Sequence, residues 1–519
     1  SAGTESAAPG EDSPREALVA ADQSENCETS QHLGKPGATP LVCEEKKVTW
    51  ADGRCGMFEG ATPFNQPVVG KEGLQRPLLA SGDPVTGSNK KVFRKECKRK
   101  RVRAQEDQPR QTYWSMSSRG QELKESFRRE RPAHVGGMCP AGLALKHPAS
   151  DTLMEWATEG CPVETGNNWR VEELQAAVDK GPHKSAMNEQ AMMQHQQEVQ
   201  ERVRSGQAVI VPWDDIKADP PKNMKIHPLA MIPHKTRDFR ALLDLSFETP
   251  LPDGTKFLSV NQTTTKLAPK GSVDQLGHVL QRIIHAVAEA KPEETLFMAK
   301  WDVKDGFWQL RAKTGEEWNF CYVLPQKTGE PTKIVVPNAL QMGWIDSPPF
   351  FGGGSETGRD VAQEYIQSKL GSLPTHKFLK HTKGSKEYEA LPVSLPESPF
   401  RFILELFVDD YICTVIPSSQ EELDHCANAV KHGIHDVFVE NSNDDEDPIS
   451  LKKAMKGDCQ WRPKKEILGF DIDGNPGEHT IVLGKDKRDE LLESLTSWLC
   501  LAKRSKGVPW DEFESGIAK

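Results

Sequence analysis

Hydrophobic and polar positions divide the chain into two parts. Residues 1–165 are rich in Gly, Pro, Ser, Glu and Lys and show no sustained period of 2 or 3.6 residues, which is typical of disorder. From about Trp169, apolar residues recur at the spacings of helices and strands. We therefore predict a largely disordered polar N-terminal region at 1–165, followed by a folded region at 166–519.

Apolar residues at three- and four-residue spacing predict several helices in the folded region. Ser419 is a typical N-cap residue, and acidic residues follow it in the first turn. The predicted helices are Ser185–Arg204, Val273–Ala290, Asp360–Leu370, Ser419–Val437 and Lys487–Leu501.

Short apolar runs bounded by turn residues predict strands. The predicted strands are Ala208–Val211, Leu296–Val303, Glu466–Ile472 and Thr480–Leu483, and the predicted hairpins are Leu229–Leu245, Arg311–Leu324 and Phe402–Ile416. Gly371–Pro399 is polar and broken by Gly and Pro, which predicts an inserted loop. Strands and helices mixed in this order favour an α+β fold with an antiparallel sheet.

Composition excludes some classes of protein. No stretch of about 18 apolar residues is present, so no membrane span is expected. The N-terminus lacks the basic and apolar regions of a secretory signal. The 11 cysteines contain no Cys-x-x-Cys pair, a usage typical of reduced thiols. We predict an intracellular protein, cytoplasmic or nuclear.

The formal net charge of −10 is unusual for a protein that binds nucleic acid. A binding cleft, however, needs only local positive potential. A dense basic run lies at 90–103. Nuclear import or contact with phosphates is one interpretation of this run, and a solvated basic tail is an equally good one.

Two acidic sites lie in apolar strands. Asp302 ends the run Leu296–Val303, and Asp409 and Asp410 stand between the two apolar arms of Phe402–Ile416. Adjacent carboxylates repel one another and are costly to desolvate. Mg²⁺ relieves that cost because it prefers carboxylate oxygens, and two ions about 3.5–4 Å apart stabilise the transition state of phosphoryl transfer. An isolated Asp-Asp pair is nevertheless more typical of a β-turn.

Five segments in order resemble the motifs of reverse transcriptases. Ile232–Asp244 resembles the fingers segment that covers the incoming nucleotide, and Asp302–Leu310 resembles the first palm motif. The second and third palm motifs and the primer grip are matched by Leu340–Pro348, Phe407–Asp410 and Ile467–Phe470. The resemblance runs from about Trp169 to the end and is nearest to the enzymes of eukaryotic retrotransposons.

The resemblance implies a right-hand polymerase with fingers, a palm of antiparallel sheet flanked by helices, and part of a thumb. It implies an RNA-directed DNA polymerase that acts on an RNA template, a DNA primer and deoxynucleoside triphosphates. Asp302, Asp409 and Asp410 would be the catalytic carboxylates that hold two Mg²⁺ ions, with Mn²⁺ as an alternative. The oligomeric state is left open.

Further site residues follow from the same resemblance. Lys235 and Arg240 would bind the triphosphate, Met342 and Gly343 would contact the nucleotide, and Leu468, Gly469 and Phe470 would form the primer grip. Asp305 is expected to hydrogen-bond nearby backbone rather than a metal ion.

Phe307 discriminates best between related activities. A bulky ring beneath the sugar would exclude a 2′-hydroxyl and select deoxynucleotides, whereas a core phenylalanine is the plain structural interpretation. Two alternatives stay open: a domesticated, non-catalytic nucleic-acid-binding protein on the same fold, and an RNA-directed RNA polymerase.

Three features depart from the family's pattern or lie outside it. Met342 stands where many retroviral relatives have Gln, and the acidic run Asp444–Asp447 is expected to be an exposed loop. No ribonuclease H, integrase or aspartic-protease motif is visible.

Overall fold

The computed structural model describes residues 137–503, apart from residues 167, 235–236, 249–255, 275 and 397–399. The basic run 90–103 and Lys235 lie outside the described residues. No helix in the described part of the chain is both long and apolar enough to cross a membrane.

Helices and strands alternate along the described residues in a mixed α+β arrangement. The α-helices are α1 (Ser150–Glu159), α2 (Val171–Lys180), α3 (Glu189–Arg204), α4 (Trp213–Ile216), α5 (Val260–Thr263), α6 (Val279–Glu289), α7 (Ser347–Ile366), α8 (Lys386–Glu389), α9 (Gln420–Val437), α10 (Leu451–Met455) and α11 (Lys485–Lys503). Short 3-10 helices include Gly306–Gln309, Glu317–Phe320 and Leu379–Thr382.

The strands form small separate sheets. They are β1 (Ala208–Pro212), β2 (Ile226–His227), β3 (Leu229–His234), β4 (Arg237–Leu243), β5 (Phe297–Asp302), β6 (Cys321–Val323), β7 (Lys333–Pro337), β8 (Arg401–Phe407), β9 (Asp410–Ile416), β10 (Lys464–Ile467), β11 (Phe470–Asp473) and β12 (Thr480–Leu483). Their orders are β1-β7-β6-β2, β3-β4, β5-β9-β8 and β10-β11-β12. All described strand pairs are antiparallel except β2 with β6.

The sheet β5-β9-β8 lies between two apolar layers. Alternate residues of β5, Phe297, Ala299 and Trp301, belong to the core formed with α7 and α9, while Met298 packs with residues of α6, β10 and β11. This alternation is what a strand buried on both faces requires. The helices α7 and α9 cross closely, because a Cβ on Gly433 would lie 2.6 Å from the carbonyl oxygen of Gly358.

Residues 137–165 were predicted to be disordered, and that prediction is wrong. These residues include α1, whose Leu153 and Trp156 are buried in the main core. The backbone N–H of Cys139 donates to the carbonyl of Val437 in α9 at 2.8 Å. A single short apolar cluster in one ten-residue helix gives too weak a pattern to outweigh the surrounding composition.

Other predicted elements differ from those of the structure. Arg311–Leu324 is not a hairpin, because Glu317–Phe320 is a 3-10 helix that leads into β6. The helix predicted at Asp360–Leu370 begins earlier, at Ser347. Its prolines lie in the first turn, where a proline does not interrupt a helix. The inserted loop Gly371–Pro399 contains α8, whose Tyr388 is buried.

Candidate active site

Strand register brings the three predicted carboxylates to one end of the sheet β5-β9-β8. Asp302 ends β5, and its register partner in β9 is Asp410. Val408 and Asp409 form the two-residue turn between β8 and β9, in which Phe407 pairs with Asp410. The N–H of Val303 donates to the carbonyl of Asp409 at 2.9 Å, which fixes the turn against the end of β5.

The turn that carries Asp409 has an unusual backbone. Val408 has φ +58°, in the left-handed region that β-branched residues rarely adopt. Two-residue hairpin turns commonly need positive φ values and therefore favour Asn or Gly. The surrounding pairing holds Val408 in this conformation, which is a local strain of a kind found at functional sites.

Burial and mutual repulsion disfavour the charged forms of two carboxylates. Burial raises the pKa of Asp409 to about 7, with further upward contributions from Asp302 and Asp410. Burial also raises the pKa of Asp302, although the ammonium of Lys453 partly offsets this effect. The site therefore holds more negative charge than its surroundings stabilise, which is the condition under which a bound cation is favoured.

Lys453 is a site residue that the sequence did not reveal. It lies in α10, its Nζ contacts Oδ1 of Asp302, and it lies 4.0 Å from Oδ1 of Asp410. Burial lowers the pKa of Lys453, but the neighbouring carboxylates outweigh burial and raise it. The contact depends on long-range backbone pairing, in which the N–H of Ser450 donates to the carbonyl of Asp302 at 3.0 Å.

The donor set fits a divalent cation with oxygen ligands. Asp302, Asp409 and Asp410 offer only carboxylate oxygens, the ligand type that Mg²⁺ prefers. A cation would also lower the raised pKa values that burial and repulsion produce at Asp302 and Asp409. The residues therefore fit the magnesium ions expected from the sequence.

In a second cluster of metal-capable groups, the two histidines are already satisfied by hydrogen bonds. Three atoms of His376, His435 and Glu440 lie within 4.8 Å of one another. The N–H of Phe378 donates to Nδ1 of His376, so Nε2 of that neutral ring carries the proton and donates to Nδ1 of His435 at 3.1 Å. Nε2 of His435 then donates to Oδ1 of Asp447 at 2.9 Å.

This chain of hydrogen bonds corrects the expectation for Asp447. Its side chain is fully buried, and its other oxygen accepts from Lys377 at 2.8 Å. The prediction that Asp444–Asp447 is an exposed acidic loop is therefore wrong for Asp447. Partners distant in sequence compensate its buried charge. Asp444 itself is exposed.

The predicted nucleotide-binding residues Arg240, Met342 and Gly343 lie together. Nη2 of Arg240 in β4 donates to Sδ of Met342 at 2.9 Å. Gly343 has φ +100°, and a Cβ there would lie 2.9 Å from the carbonyl oxygen of Leu243. Glycine is therefore required where this loop passes the end of β4. Lys235, the other predicted triphosphate ligand, cannot be placed because it lies outside the described residues.

Phe307 comes after Asp302 in the sequence and lies in the 3-10 helix Gly306–Gln309. It is half-buried, and its ring meets that of Phe351 edge to face, with centroids 5.8 Å apart. Phe351 belongs to α7, so the ring of Phe307 packs on that helix. This placement is compatible with both the steric and the structural interpretation.

The predicted primer-grip residues form a turn rather than part of one strand. Leu468 and Gly469 have φ +52° and +82° and join β10 to β11, with Ile467 paired to Phe470. Positive φ at both central residues is the type I′ pattern that matches the twist of a hairpin. The continuous strand predicted at Glu466–Ile472 is therefore wrong, since an apolar residue occupies a turn position.

The solved structures that resemble this chain include two of foamy viral origin. The foamy viral protease-reverse transcriptase dRH in complex with double-stranded DNA is 13% identical, with a TM-score of 0.36, over 79% of this chain and 50% of that chain. The foamy viral protease-reverse transcriptase in complex with double-stranded DNA is 14% identical, with a TM-score of 0.35, over 74% and 61%. This chain thus spans about half to three-fifths of their length.

No protein-family model matches this chain, and no curated protein matches it.

Proposed function

We propose that this chain is an RNA-directed DNA polymerase that adds deoxynucleotides to the 3′-end of a primer, in the replication of a retroelement inside the cell. One observation carries the proposal. Asp302 and the pair Asp409–Asp410, which are far apart in sequence, lie at one end of an antiparallel sheet, where two of the three carboxylates have raised pKa values. Carboxylates whose pKa values are raised in this way are typical of a functional site.

The carboxylates would hold the metal ions of the reaction. Two Mg²⁺ ions, or Mn²⁺ in their place, would supply charge stabilisation for the attacking and leaving oxygens. Asp302 and Asp409 would be shared ligands, and Asp410 an accessory one. The site would then act chiefly by placing the primer 3′-hydroxyl in line with the α-phosphate.

Residues around the carboxylates would bind the substrates. Arg240 would bind the triphosphate through its planar fork of N–H donors, together with Lys235. The ring of Phe307 would exclude a 2′-hydroxyl. The glycine at 343 would let the backbone approach the base pair, and the turn at Leu468–Gly469 would contact the primer. The partners would be an RNA template and a DNA primer.

These assignments correspond to parts of a right-hand polymerase. The sheet β5-β9-β8 with α7 and α9 would be the palm, the hairpin β3-β4 with α3 would belong to the fingers, and α11 would begin the thumb. An RNA-directed RNA polymerase is the rival that shares the metal site, and it differs in needing space for the 2′-hydroxyl.

Primer extension with RNA and DNA templates tests the proposal. We expect the wild-type protein to extend a primer with deoxynucleotides, and D302N or D409N to lose at least about 1000-fold in rate, because a lost charge ligand removes about 4 kcal/mol of transition-state stabilisation. Both variants should stay folded, since neither substitution changes side-chain size. Retained extension by either variant excludes the proposed site.

Phe307→Ala separates the two polymerase activities in the same assay. We expect F307A to use ribonucleotides at least about tenfold better than wild type, because the truncated side chain no longer meets the 2′-hydroxyl. An unchanged ratio means that the ring only packs against Phe351. A wild-type preference for ribonucleotides favours the RNA-directed RNA polymerase.

A further inference from the structure

Arg202 joins the last turn of α3 to the segment that follows Asp302. Its Nη2 lies 2.9 Å from Oδ2 of Asp305, and its guanidinium stands over the ring of Trp308, 4.6 Å from the centroid. Its Nη1 donates to Oε1 of Gln207 at 2.6 Å. One side chain thus reaches two positions that flank Phe307, although Asp305 was expected to hydrogen-bond only to backbone.

The segment that Arg202 contacts adopts a conformation that needs support. Asp305 has φ +53°, which is costly for a residue other than glycine. The turn that follows is short: the N–H of Trp308 donates to the carbonyl of Asp305 at 2.8 Å, and that of Leu310 to Phe307 at 3.1 Å. Phe307 is therefore carried by a single strained 3-10 turn.

Arg202 is itself held on its other side. Beyond the side-chain contact with Gln207, the N–H of Gln207 donates to the carbonyl of Arg202 at 2.8 Å, and the carbonyl of Gln207 accepts from Asn338 at 2.8 Å. The side chain of Arg202 is 25% exposed. It can thus transmit the position of α3 to the turn, because its planar fork binds a carboxylate and stacks on a ring at once.

We propose that Arg202 is a positioning residue that sets the place of the Phe307 ring relative to Asp302 and thereby the selectivity for deoxyribose. This inference rests on the proposed function, in which Phe307 meets the sugar. In the described part of the chain, the Arg202 side chain contacts Asp305, Trp308 and Gln207 rather than the carboxylates of the metal site. Its effect passes through Asp305 and Trp308.

The substitution series R202A, R202K and R204A tests this role. Arg204 is a matched control, because it lies in the same helix turn, carries the same charge and is exposed. R202A loses both contacts that flank Phe307. R202K can keep an ion pair with Asp305 but loses the stacking on Trp308 and the planar fork.

Two readouts are measured on the full chain. The first is amide hydrogen exchange in residues 305–310, which we expect to become roughly tenfold faster in R202A, since hydrogen bonds to a charged group are lost. The second is the ratio of kcat/KM for deoxynucleotides to that for ribonucleotides. We expect it to fall by at least about fivefold in R202A and less in R202K, and to be unchanged in R204A.

The outcomes separate the two ideas. Unchanged exchange at 305–310 in R202A overturns the inference, whether or not the protein extends a primer. Faster exchange with an unchanged sugar ratio also overturns it, because Arg202 then has only a structural role. If the wild-type protein extends no primer, the proposed function fails, and with it the selectivity role, while faster exchange alone would retain Arg202 as a support of the turn.

Discussion

At the scale of single residues, the site is governed by charge that the fold does not fully compensate. Burial, Asp302 and Asp410 raise the pKa of Asp409 to about 7. Among the described residues, Lys453 is the cation that faces this site, but it contacts Asp302 and lies 4.0 Å from Asp410. A divalent ion bound by the carboxylates would therefore compete with this ammonium for Asp302.

The raised pKa of Asp409 predicts a pH-dependent stability. Between its ordinary value of 3.8 and about 7, the folded protein holds a proton that the unfolded chain has released, so the free energy of unfolding should fall as pH rises through this window. Solvent screens the charge of this partly exposed carboxylate, so we expect the free energy of unfolding to fall by about 1–2 kcal/mol. D409N, which cannot ionise, should show less of it.

Thermal unfolding at pH 5 and pH 8, with a chelator and with Mg²⁺, checks this expectation. Without divalent ions, the difference between the two pH values should be larger for wild type than for D409N. Mg²⁺ at about 100 times its dissociation constant should add about 2.7 kcal/mol to wild type at pH 8, but much less to D302N. An equal response of D302N to Mg²⁺ would place the ion elsewhere.

The carboxylates could be predicted from the sequence, whereas their cation partner could not. Asp302, Asp409 and Asp410 interrupt apolar strands. This contrast between acidic residues and their apolar neighbours is visible in the local sequence. Lys453 lies in a polar stretch with other lysines. It reaches Asp302 only because Ser450 and Pro448 pair with the backbone of residues 302–304, which no local pattern predicts.

At the scale of elements, the hairpin β8-β9 combines strong pairing with a strained turn. Seven register pairs join the two strands, and their pairing holds Val408 at φ +58°. A β-branched residue in that region costs about 1–3 kcal/mol. The strain persists because the pairing around the turn leaves Val408 no other conformation.

Replacing Val408 should therefore change stability and activity in opposite directions. V408G removes the steric strain but increases the entropy of the unfolded chain by about 0.4–1 kcal/mol, so we expect a net gain of about 1 kcal/mol in urea unfolding. Primer extension should slow, because Asp409 is held less firmly. V408A is the control, since it removes the branch and keeps Cβ. If V408G is less stable than V408A, the turn is not strained.

Several elements with a clear period were predicted closely, whereas elements that depend on distant contacts were not. The helix predicted at Val273–Ala290 has a clear period but begins only at Val279. The strand β5 and the helix α9 lie within a residue or two of their predicted bounds. The first half of α7 was missed because it contains two prolines and three consecutive glycines, which suit loops in isolation. Here Gly352 lets the helix approach within contact of Ser272.

At the scale of the whole molecule, segments without a strong pattern of their own complete the core. The inserted residues after α7 are anchored by His376, which hydrogen-bonds to His435 of α9. Residues 137–165 contribute in the same way: the N–H of Gly137 donates to Oε1 of Gln309 at 3.0 Å, and Leu153 and Trp156 pack into the main core.

Residues 137–165 should accordingly be needed for stability. We expect a fragment of residues 137–503 to unfold cooperatively and one of residues 166–503 to be much less stable. Burial of a large apolar side chain contributes about 1.5–3 kcal/mol, so losing Leu153, Trp156 and Val163 together removes a large part of a total of about 5–15 kcal/mol. Thermal unfolding and dye binding to exposed apolar surface distinguish the two fragments.

Point substitutions in α1 test whether the packing of this helix, rather than the length of the chain, provides the stability. In the full chain, L153A should cost about 2–5 kcal/mol, because Leu153 is 1% exposed and its truncation leaves a cavity. E155A, in the same helix but exposed, should change stability by less than about 0.5 kcal/mol. Equal effects of the two substitutions would mean that α1 does not pack on the core, and residue 166 would then be the true start of the folded region.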